Sequence, residues 1–317
     1  MELIGHEAAT AAFKQAVASG RPHHGWLLTG PPGIGKASFA EAAAIWLLAG
    51  APEGRGFSAA AASQAANFVR EGSHPDFRRL VRTSDDKGKL RTVIRVDEVR
   101  AMQAVLAQTP SLAAWRVVLV DSADEMNLNA ANSLLKHLEE PPAQTIFLLV
   151  SHAPGRLLPT IRSRCRLLRM KPLADAEVAR VLDDIADGLD ESDRDALVRM
   201  AGGAPGRALA MAEPGVAALE ASMMQLAQLP VAEAEAAALA LARSLAGKTA
   251  AGRYAAFLSR APTLLAEAAR TQSGPRLAQT IEDWHAATTL AASAGPLTLD
   301  PLTVSHDIAR RIARLGS

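Results

Sequence analysis

The sequence contains a single cysteine, Cys165, among its 317 residues. One cysteine excludes an intrachain disulfide, and a chain without disulfides is typical of a reducing compartment. The N-terminus lacks a basic segment followed by an apolar one, so we predict no signal peptide. No apolar run reaches the roughly 18 residues that a membrane-spanning helix needs. These absences together predict a cytoplasmic protein that has no membrane partner.

Aromatic residues and net charge are also low. Phe, Trp and Tyr make up 4% of the chain, and the formal net charge is +1. Few aromatic side chains argue against a base-stacking platform, and near neutrality argues against a strongly basic DNA-coating protein. A net charge near zero does not exclude a local basic patch on the surface. Hydrophobic residues, in contrast, make up 49% of the sequence, and the length predicts two or three domains with large cores.

The clearest functional pattern is a glycine-rich stretch at residues 30–38. It follows a predicted buried strand at 26–29 and precedes an Ala-rich predicted helix at 36–49. Strand, glycine-rich turn and helix are the context of a phosphate-binding loop, in which backbone N–H groups and the helix N-terminus attract an anion. Lys36 would reach the outer phosphates. The candidate nucleotide-binding residues of this loop are Gly30, Pro31, Pro32, Gly33, Ile34, Gly35, Lys36, Ala37 and Ser38.

The loop lacks the hydroxyl that completes this pattern. A Ser or Thr normally follows the lysine and binds Mg²⁺, but this chain has Ala37 there. Ser38 comes one residue later, about 100° further around the helix, and should point elsewhere. We therefore expect a degenerate loop that can hold ATP or ADP, with Mg²⁺ bound weakly or absent.

Strands alternate with helices over the first half of the chain. Besides the first strand, apolar or alternating runs predict strands at 77–81, 93–96, 116–121, 145–150 and 165–170. Helices are predicted at 7–19, 36–49, 97–108 and 129–140, the third of them capped by Asp97. This alternation predicts an α/β fold, a parallel sheet with helices on both faces. Residues 50–72 show no pattern clear enough to assign.

The character of the sequence changes at Pro172. Residues 173–211 predict short helices that are interrupted at 202–206, and residues 215–317 predict Ala- and Leu-rich helices without strands. We accordingly predict three domains: an α/β domain at 1–170, a small helical lid at 171–214 and an all-α domain at 215–317.

Two polar residues follow predicted buried strands. Asp121 and Ser151 are expected near the loop because the carboxyl ends of parallel strands meet at one edge of the sheet. Asp121 is a candidate for the carboxylate that holds the hydration shell of Mg²⁺, and alternatively a strand-end or helix-capping carboxylate. The next residue is Ser122, where ATP-hydrolysing ring proteins usually have a glutamate that positions water.

Four stretches together resemble the AAA+ clamp-loader family of bacterial DNA polymerase III. They are residues 30–36, 117–121, 132–142 and 158–165, of which the last two are long and specific to the family. The resemblance implies a RecA-like AAA+ P-loop domain, a helical lid, and a collar domain at 215–317 that serves oligomerisation. It implies a fixed subunit of the hetero-oligomer that loads a ring clamp during DNA replication. The implied partners are the delta and gamma or tau subunits, the sliding clamp and primed DNA.

The resemblance also assigns roles to three polar side chains. Within the family's Ser-Arg-Cys motif, Arg164 would reach across an interface to the ATP of a neighbour, as an arginine finger. Alternatively, Arg162, Arg164 and Arg166 form one solvated strand face. Ser151 matches a residue that contacts the γ-phosphate in relatives, and Arg207 matches a lid arginine that touches nucleotide. A strand-end hydroxyl and a surface arginine are the respective alternatives.

Two departures from the family pattern bear on function. Ala37 and Ser122 predict a subunit that has the fold but does not hydrolyse ATP. Many relatives carry a four-cysteine zinc module after the loop helix, whereas residues 50–72 contain no cysteine and therefore no thiolate zinc site. His74 and Asp76 are more typical of a structural turn than of a metal site.

Other functions remain open from the sequence. A working AAA+ ATPase, either the motor subunit or another DNA remodeller, is the main alternative, and a free-standing DNA-binding protein is another. The basic residues of one charged segment would either face DNA or form a solvated edge: Arg78, Arg79, Arg82, Lys87, Lys89 and Arg91.

Overall fold

The computed structural model describes residues 3–20, 22–54, 56–84, 88, 90–186, 188–212 and 215–316. Contacts between residues divide the chain into two compact units, Met1–Glu177 and Val178–Ser317. The domain boundaries at 170 and 214 stay predictions. Within the described residues, no helix combines the length and apolar character needed to cross a bilayer.

The first unit is built on a parallel sheet, which confirms the predicted α/β fold. Its described strands are β1 (Gly25–Thr29), β2 (Phe77–Leu80), β3 (Arg116–Val120), β4 (Thr145–Ser151) and β5 (Arg166–Arg169). Its described helices are α1 (Glu7–Ala18), α2 (Lys36–Leu48), α3 (Gln64–Arg70), α4 (Val96–Leu106), α5 (Leu128–Glu139) and α6 (Pro159–Ser163), and α7 (Asp175–Ile185) leads into the second unit.

The strand order places the glycine-rich loop near the middle of the sheet. The strands lie in the order β2, β3, β4, β1, β5, and every described pair is parallel. Every residue of β1, β3 and β4 is buried, as expected for interior strands covered on both faces. Thr29 pairs with Ser151, so β1 and β4 end at the same level. The loop after β1 therefore begins beside the end of β4.

Different side chains fill the two faces of the sheet. One face packs against α4, α5 and α6 through residues such as Leu27, Val118 and Phe147. The other face carries a cluster of aromatic rings with centroids 4.9–6.4 Å apart, formed by Phe13, Trp26, Phe39, Trp46 and Phe57. Apolar packing on both faces holds the strands in position. It therefore also positions the residues that follow the end of each strand.

The segment after α2, for which the sequence predicted no element, is anchored to this aromatic cluster. Lys14 donates hydrogen bonds to the carbonyl oxygens of Gly54 at 2.7 Å and Gly56 at 3.0 Å, and its ammonium lies 5.2 Å from the ring centroid of Trp46. Further on, the Ser63 hydroxyl caps α3. The Ala-rich composition of this segment left its helix without a distinct apolar period.

The strand predicted at 93–96 is wrong. Ile94 makes a single isolated bridge to Met126, and α4 already begins at Val96. The N-cap residue is Arg95 and not the predicted Asp97, and the backbone N–H of Arg95 donates to Glu98 Oε2 at 2.8 Å. Asp97 instead lies in the first turn, where a carboxylate complements the helix dipole, and it pairs with Arg95 at 2.7 Å. The alternation of apolar and polar residues at 93–96 therefore accompanies one isolated bridge and not a hydrogen-bonded strand.

The described part of the second unit is helical. Its remaining helices are α8 (Glu191–Ala201), α9 (Pro205–Ala210), α10 (Val216–Leu226), α11 (Val231–Leu245), α12 (Ala251–Ala269), α13 (Gly274–Ala294) and α14 (Pro301–Ala313). Arg260 of α12, 7% exposed, pairs with Glu220 of α10 at 2.7 Å. Asp283 of α13, 2% exposed, accepts from Arg311 and Arg314 at 3.1 and 2.7 Å. These ion pairs link α10 to α12 and α13 to the C-terminal residues, and removing one partner would leave a buried charge uncompensated.

A buried carboxylate organises the turn that precedes β2. Asp76 accepts the backbone N–H groups of Ser111, Leu112 and Ala113 at 2.6–2.9 Å. Burial by itself would raise the pKa of Asp76, but these three donors hold it below its ordinary value. His74 accepts the N–H of Asp76 through Nδ1 at 3.1 Å. Asp76 thus ties the start of β2 to the chain that leads into β3.

We expect Asp76→Ala to lower the free energy of unfolding by about 1–3 kcal/mol, because it leaves buried N–H groups without an acceptor. Urea unfolding at neutral pH measures this loss. The control is Asp97→Ala, which removes an exposed carboxylate and should change stability by about 0.5 kcal/mol or less. Equal losses in the two variants would contradict the structural role of Asp76.

Candidate nucleotide site

The loop after β1 has the backbone of a phosphate cradle. Gly30, Gly33 and Gly35 have φ angles of 151°, 79° and 96°, which L side chains rarely adopt. A Cβ on Gly30 would also lie 2.5 Å from the carbonyl oxygen of Met170. Gly35 precedes the first residue of α2 and provides no side-chain cap. The first N–H groups of α2 are therefore available to an anion.

The other predicted loop residues lie around this cradle. Pro31 and Pro32 are exposed and Ile34 is buried, with its carbonyl oxygen 2.7 Å from Nε2 of His6. Ala37 is half-buried and Ser38 is exposed on α2. The role of these residues in nucleotide binding stays a prediction.

Lys36 lies inside the loop. It is 3% exposed, and its ammonium donates to the carbonyl oxygens of Gly30 at 2.7 Å and Pro31 at 2.6 Å. Burial lowers the pKa of Lys36 to about 8, against the opposing effect of Asp124 and Asp121. A phosphate group would offer the ammonium a charged acceptor in place of these neutral carbonyls.

Asp121 follows β3 as predicted, but its carboxylate is engaged. Arg79 of β2 donates to Asp121 Oδ2 at 3.1 Å and to Glu41 Oε2 of α2 at 2.8 Å. The sequence analysis placed Arg79 in a basic segment that would face DNA or form a solvated edge. The nearby Arg82 also pairs with an acid, Glu125, at 2.8 Å.

The rest of that basic segment has mixed surroundings. Arg78 donates to the carbonyl oxygens of His74 and Phe77, and Arg91 donates to that of Ser84. Lys87 and Lys89 lie outside the described residues.

Asp124 is a site residue that the sequence analysis missed. Its carboxylate accepts hydrogen bonds from the hydroxyls of Ser151 at 2.7 Å and Ser122 at 3.1 Å, and from the backbone N–H groups of His152 and Ala153. Burial by itself would raise the pKa of Asp124, but these donors hold it below its ordinary value. Asp124 joins the ends of β3 and β4. The sequence offered one signal for Asp124, an acidic residue three positions after Asp121.

This network decides the environment of Ser151. The residue is fully buried, and its one hydroxyl proton is donated to Asp124. In this arrangement no proton remains for a phosphate oxygen, and the predicted γ-phosphate contact stays a prediction.

Arg164 lies at the end of α6. Its guanidinium is 2.9 Å from Glu139 Oε1 and donates to the carbonyl oxygen of Thr160 at 3.2 Å, and the side chain is 37% exposed. Arg162 belongs to α6, and Arg166 is the first residue of β5. The three arginines therefore do not form one strand face. Arg207, the predicted lid residue, lies on α9 of the second unit.

The residues around the loop do not suit Mg²⁺, the metal that this type of site implies. Ala37 supplies no hydroxyl, and the carboxylate of Asp121 is bridged to a guanidinium. Across the described residues, no group of three or more His, Cys, Asp or Glu side chains could hold a metal ion. Of the two oxygen donors that this type of site uses, the hydroxyl is missing and the carboxylate of Asp121 is paired with Arg79.

We expect Asp124→Ala to lower the free energy of unfolding by about 2–3 kcal/mol, because it leaves several buried donors unsatisfied. The folded-state pKa of Asp124 lies below its unfolded value. Its stabilisation is therefore present above about pH 4 and is lost as pH falls through the folded-state pKa. Urea unfolding from pH 7 to pH 3 should show the difference between wild type and variant shrinking.

The matched control is Glu125→Ala, which removes one half-exposed ion pair with Arg82 and should cost about 1 kcal/mol or less. A pH-independent difference for Asp124→Ala, or one no larger than that of the control, would contradict the assigned network.

Comparison with known proteins agrees with this architecture. The family model for the DNA polymerase III delta subunit matches residues 5–174. The chain is 42% identical to DNA polymerase III subunit delta' of Pseudomonas aeruginosa over 188 residues, which are 57% of this chain and 53% of that protein. It is 36% identical to subunit delta' of Escherichia coli over 206 residues, which are 63% and 58% of the two chains.

A third relative bears a different subunit name. The chain is 30% identical to DNA polymerase III subunit tau of Bacillus subtilis over 216 residues, which are 62% of this chain and 36% of that protein. The chain thus spans only about half the length of the two delta' relatives. The family model, however, covers more than half of this chain, and its span includes the sheet and the loop. This protein therefore belongs to the DNA polymerase III delta-subunit family, and its first unit is an α/β domain built on a parallel sheet.

Proposed function

We propose that this chain is the non-motor, delta-prime subunit of the clamp loader, helping to load the sliding clamp on primed DNA. Family membership supports the clamp-loader assignment. The non-motor part is supported by the loop, which retains its glycines and Lys36, whereas Ala37 offers no hydroxyl to a metal and Asp121 is paired with Arg79. Its partners would be the delta and gamma or tau subunits, the clamp and DNA.

The residues next to Asp121 favour a site that binds but does not react. Ser122 is 3% exposed and donates its hydroxyl proton to Asp124, so it offers no base for water. Glu125 is turned to Arg82, with which it forms an ion pair. Hydrolysis requires a positioned water and a metal-stabilised phosphate. Neither Asp121 nor Glu125 is free to serve, because each is paired with an arginine. ATP or ADP held by Lys36 and the loop would therefore be a bound ligand rather than a substrate.

The same contacts weigh against the two alternatives. A working ATPase needs a carboxylate that is open to the metal, whereas Asp121 shares Arg79 with Glu41. A free-standing DNA-binding protein would present an unpaired basic surface, whereas Arg79 and Arg82 are neutralised by acids of their own unit.

We further propose that Arg164 acts as an arginine finger on the nucleotide of a neighbouring subunit. Its guanidinium is partly exposed, and Glu139 and the Thr160 carbonyl oxygen hold it at the end of α6. A planar guanidinium that is held in place before binding suits the charge that develops on a transferring phosphate. Glu139 would act as its positioning residue.

The isolated protein should release phosphate from ATP no faster than a buffer control, because it lacks the metal ligand and the water-positioning acid. A steady-state phosphate-release assay measures this. A turnover of about 1 s⁻¹ or more, typical of enzymes, that disappears in Lys36→Ala would contradict the non-motor assignment.

In the reconstituted complex, Arg164→Ala should lower the ATPase activity that clamp and DNA stimulate. A finger is worth about 10³–10⁵ in rate at the site it serves, but the total should fall by less because other sites do not depend on it. Arg164→Lys should fail similarly, since lysine lacks the planar fork. Assembly on a sizing column should be unchanged for both variants.

The controls are Arg162→Ala and Arg166→Ala, which remove the same charge nearby. Arg162 donates to the carbonyl oxygen of Pro154, and Arg166 lies over the ring of Trp26 at 5.1 Å. Equal small losses in all the variants would indicate a general basic patch and refute the finger.

A further inference from the structure

Arg79 connects three elements around the candidate site. It lies on β2 in register with Leu119, two residues before Asp121, so the parallel pairing of β2 and β3 sets its position. One guanidinium nitrogen is 3.1 Å from Asp121 and the other is 2.8 Å from Glu41 on the loop helix α2. A single planar cation therefore bridges the end of β3 and the helix that begins at the loop.

The two carboxylates on Arg79 are hard oxygen donors, the kind that a divalent cation prefers. In a complete phosphate-binding loop, the metal neutralises the strand-end carboxylate and the phosphates together. Here Arg79 already provides positive charge at Asp121, and Ala37 cannot contribute to a metal shell. Asp121 also acts on Lys36, whose pKa it raises against burial, so the bridge lies within electrostatic reach of the loop lysine.

Arg79 retains donors for a ligand. An arginine has five N–H donors, and the two ion pairs use one from each terminal nitrogen. The side chain of Arg79 is 39% exposed. Guanidinium groups bind phosphate oxygens in bidentate geometry, a contact that Mg²⁺ would otherwise make.

We propose that Arg79 takes the place of the divalent cation at Asp121, so that the loop binds the phosphates of ADP or ATP without a metal. This inference rests on the proposed function for its ligand class, but it concerns the metal dependence of binding and not hydrolysis or assembly. Arg79 offsets the negative charge of Asp121 beside the loop, and Lys36 and the N–H groups at the start of α2 supply the attraction for phosphate.

The test is ADP binding to the full-length chain, measured by titration calorimetry in EDTA and again with excess Mg²⁺. Wild type should bind equally well in both buffers, within about twofold. Arg79→Met should bind about tenfold more weakly in EDTA, a change of about 1.4 kcal/mol, and should recover part of the loss in Mg²⁺ because Asp121 and Glu41 become free. Thermal unfolding confirms that the variant is folded, since exposed ion pairs contribute little.

The matched control is Arg82→Met, which removes a neighbouring arginine whose ion pair is with Glu125 and not with Asp121. It should bind ADP as wild type does in both buffers. The double variant Ala37→Thr with Arg79→Met restores the hydroxyl and frees the carboxylates, and its ADP binding should become about tenfold or more stronger in Mg²⁺ than in EDTA.

Three results would overturn the inference: wild-type binding that requires Mg²⁺, an Arg79→Met variant that behaves like Arg82→Met, or no ADP binding in either buffer. Each of these leaves the clamp-loader role intact if the chain still joins the complex and does not hydrolyse ATP. Mg²⁺-dependent ATP turnover by the wild-type chain, in contrast, would refute both the inference and the proposed function.

Discussion

The carboxylate of Asp124 holds together the part of the sheet on which the candidate site depends. It collects hydrogen bonds from the turn after β3 and from the end of β4, while Ser151 of β4 pairs with Thr29, the last residue before the loop. A change at Asp124 would therefore move Asp121 and the glycine-rich loop relative to each other. Because the pKa of Asp124 lies below its ordinary value, it stays charged across the neutral pH range.

A second constraint is that the two cations near the loop, Lys36 and Arg79, already have hydrogen-bond acceptors within the same unit. Lys36 is satisfied by the carbonyl oxygens of Gly30 and Pro31, and Arg79 is satisfied by Asp121 and Glu41. A reaction centre of this type keeps its acid free for metal and water. The pairing instead suits a site whose geometry is fixed whether or not a ligand is bound. This supports the proposal of a subunit that holds its neighbours in position rather than driving them.

The sequence predicted those parts of the fold that local pattern encodes. Continuous apolar runs gave β1, β3 and β4, and glycine spacing gave the loop, because backbone conformation and burial act within a few residues. The strand at 93–96 failed since its alternation serves one bridge at Ile94. The two acidic partners of Arg79 and the hydrogen bonds of Asp124 could not be predicted from local sequence patterns. They arise from strand register and from residues far apart in the chain, which no single stretch of sequence encodes.

Assembly is the most direct measure of the central claim, that this chain is a fixed subunit of a clamp loader. The purified protein would be mixed with the delta and gamma or tau subunits of the same organism, and the species formed would be weighed by native mass spectrometry. The proposed function predicts one heteromeric complex that contains this chain in a fixed ratio. A complex that forms fully from the other subunits while this chain stays apart would contradict it.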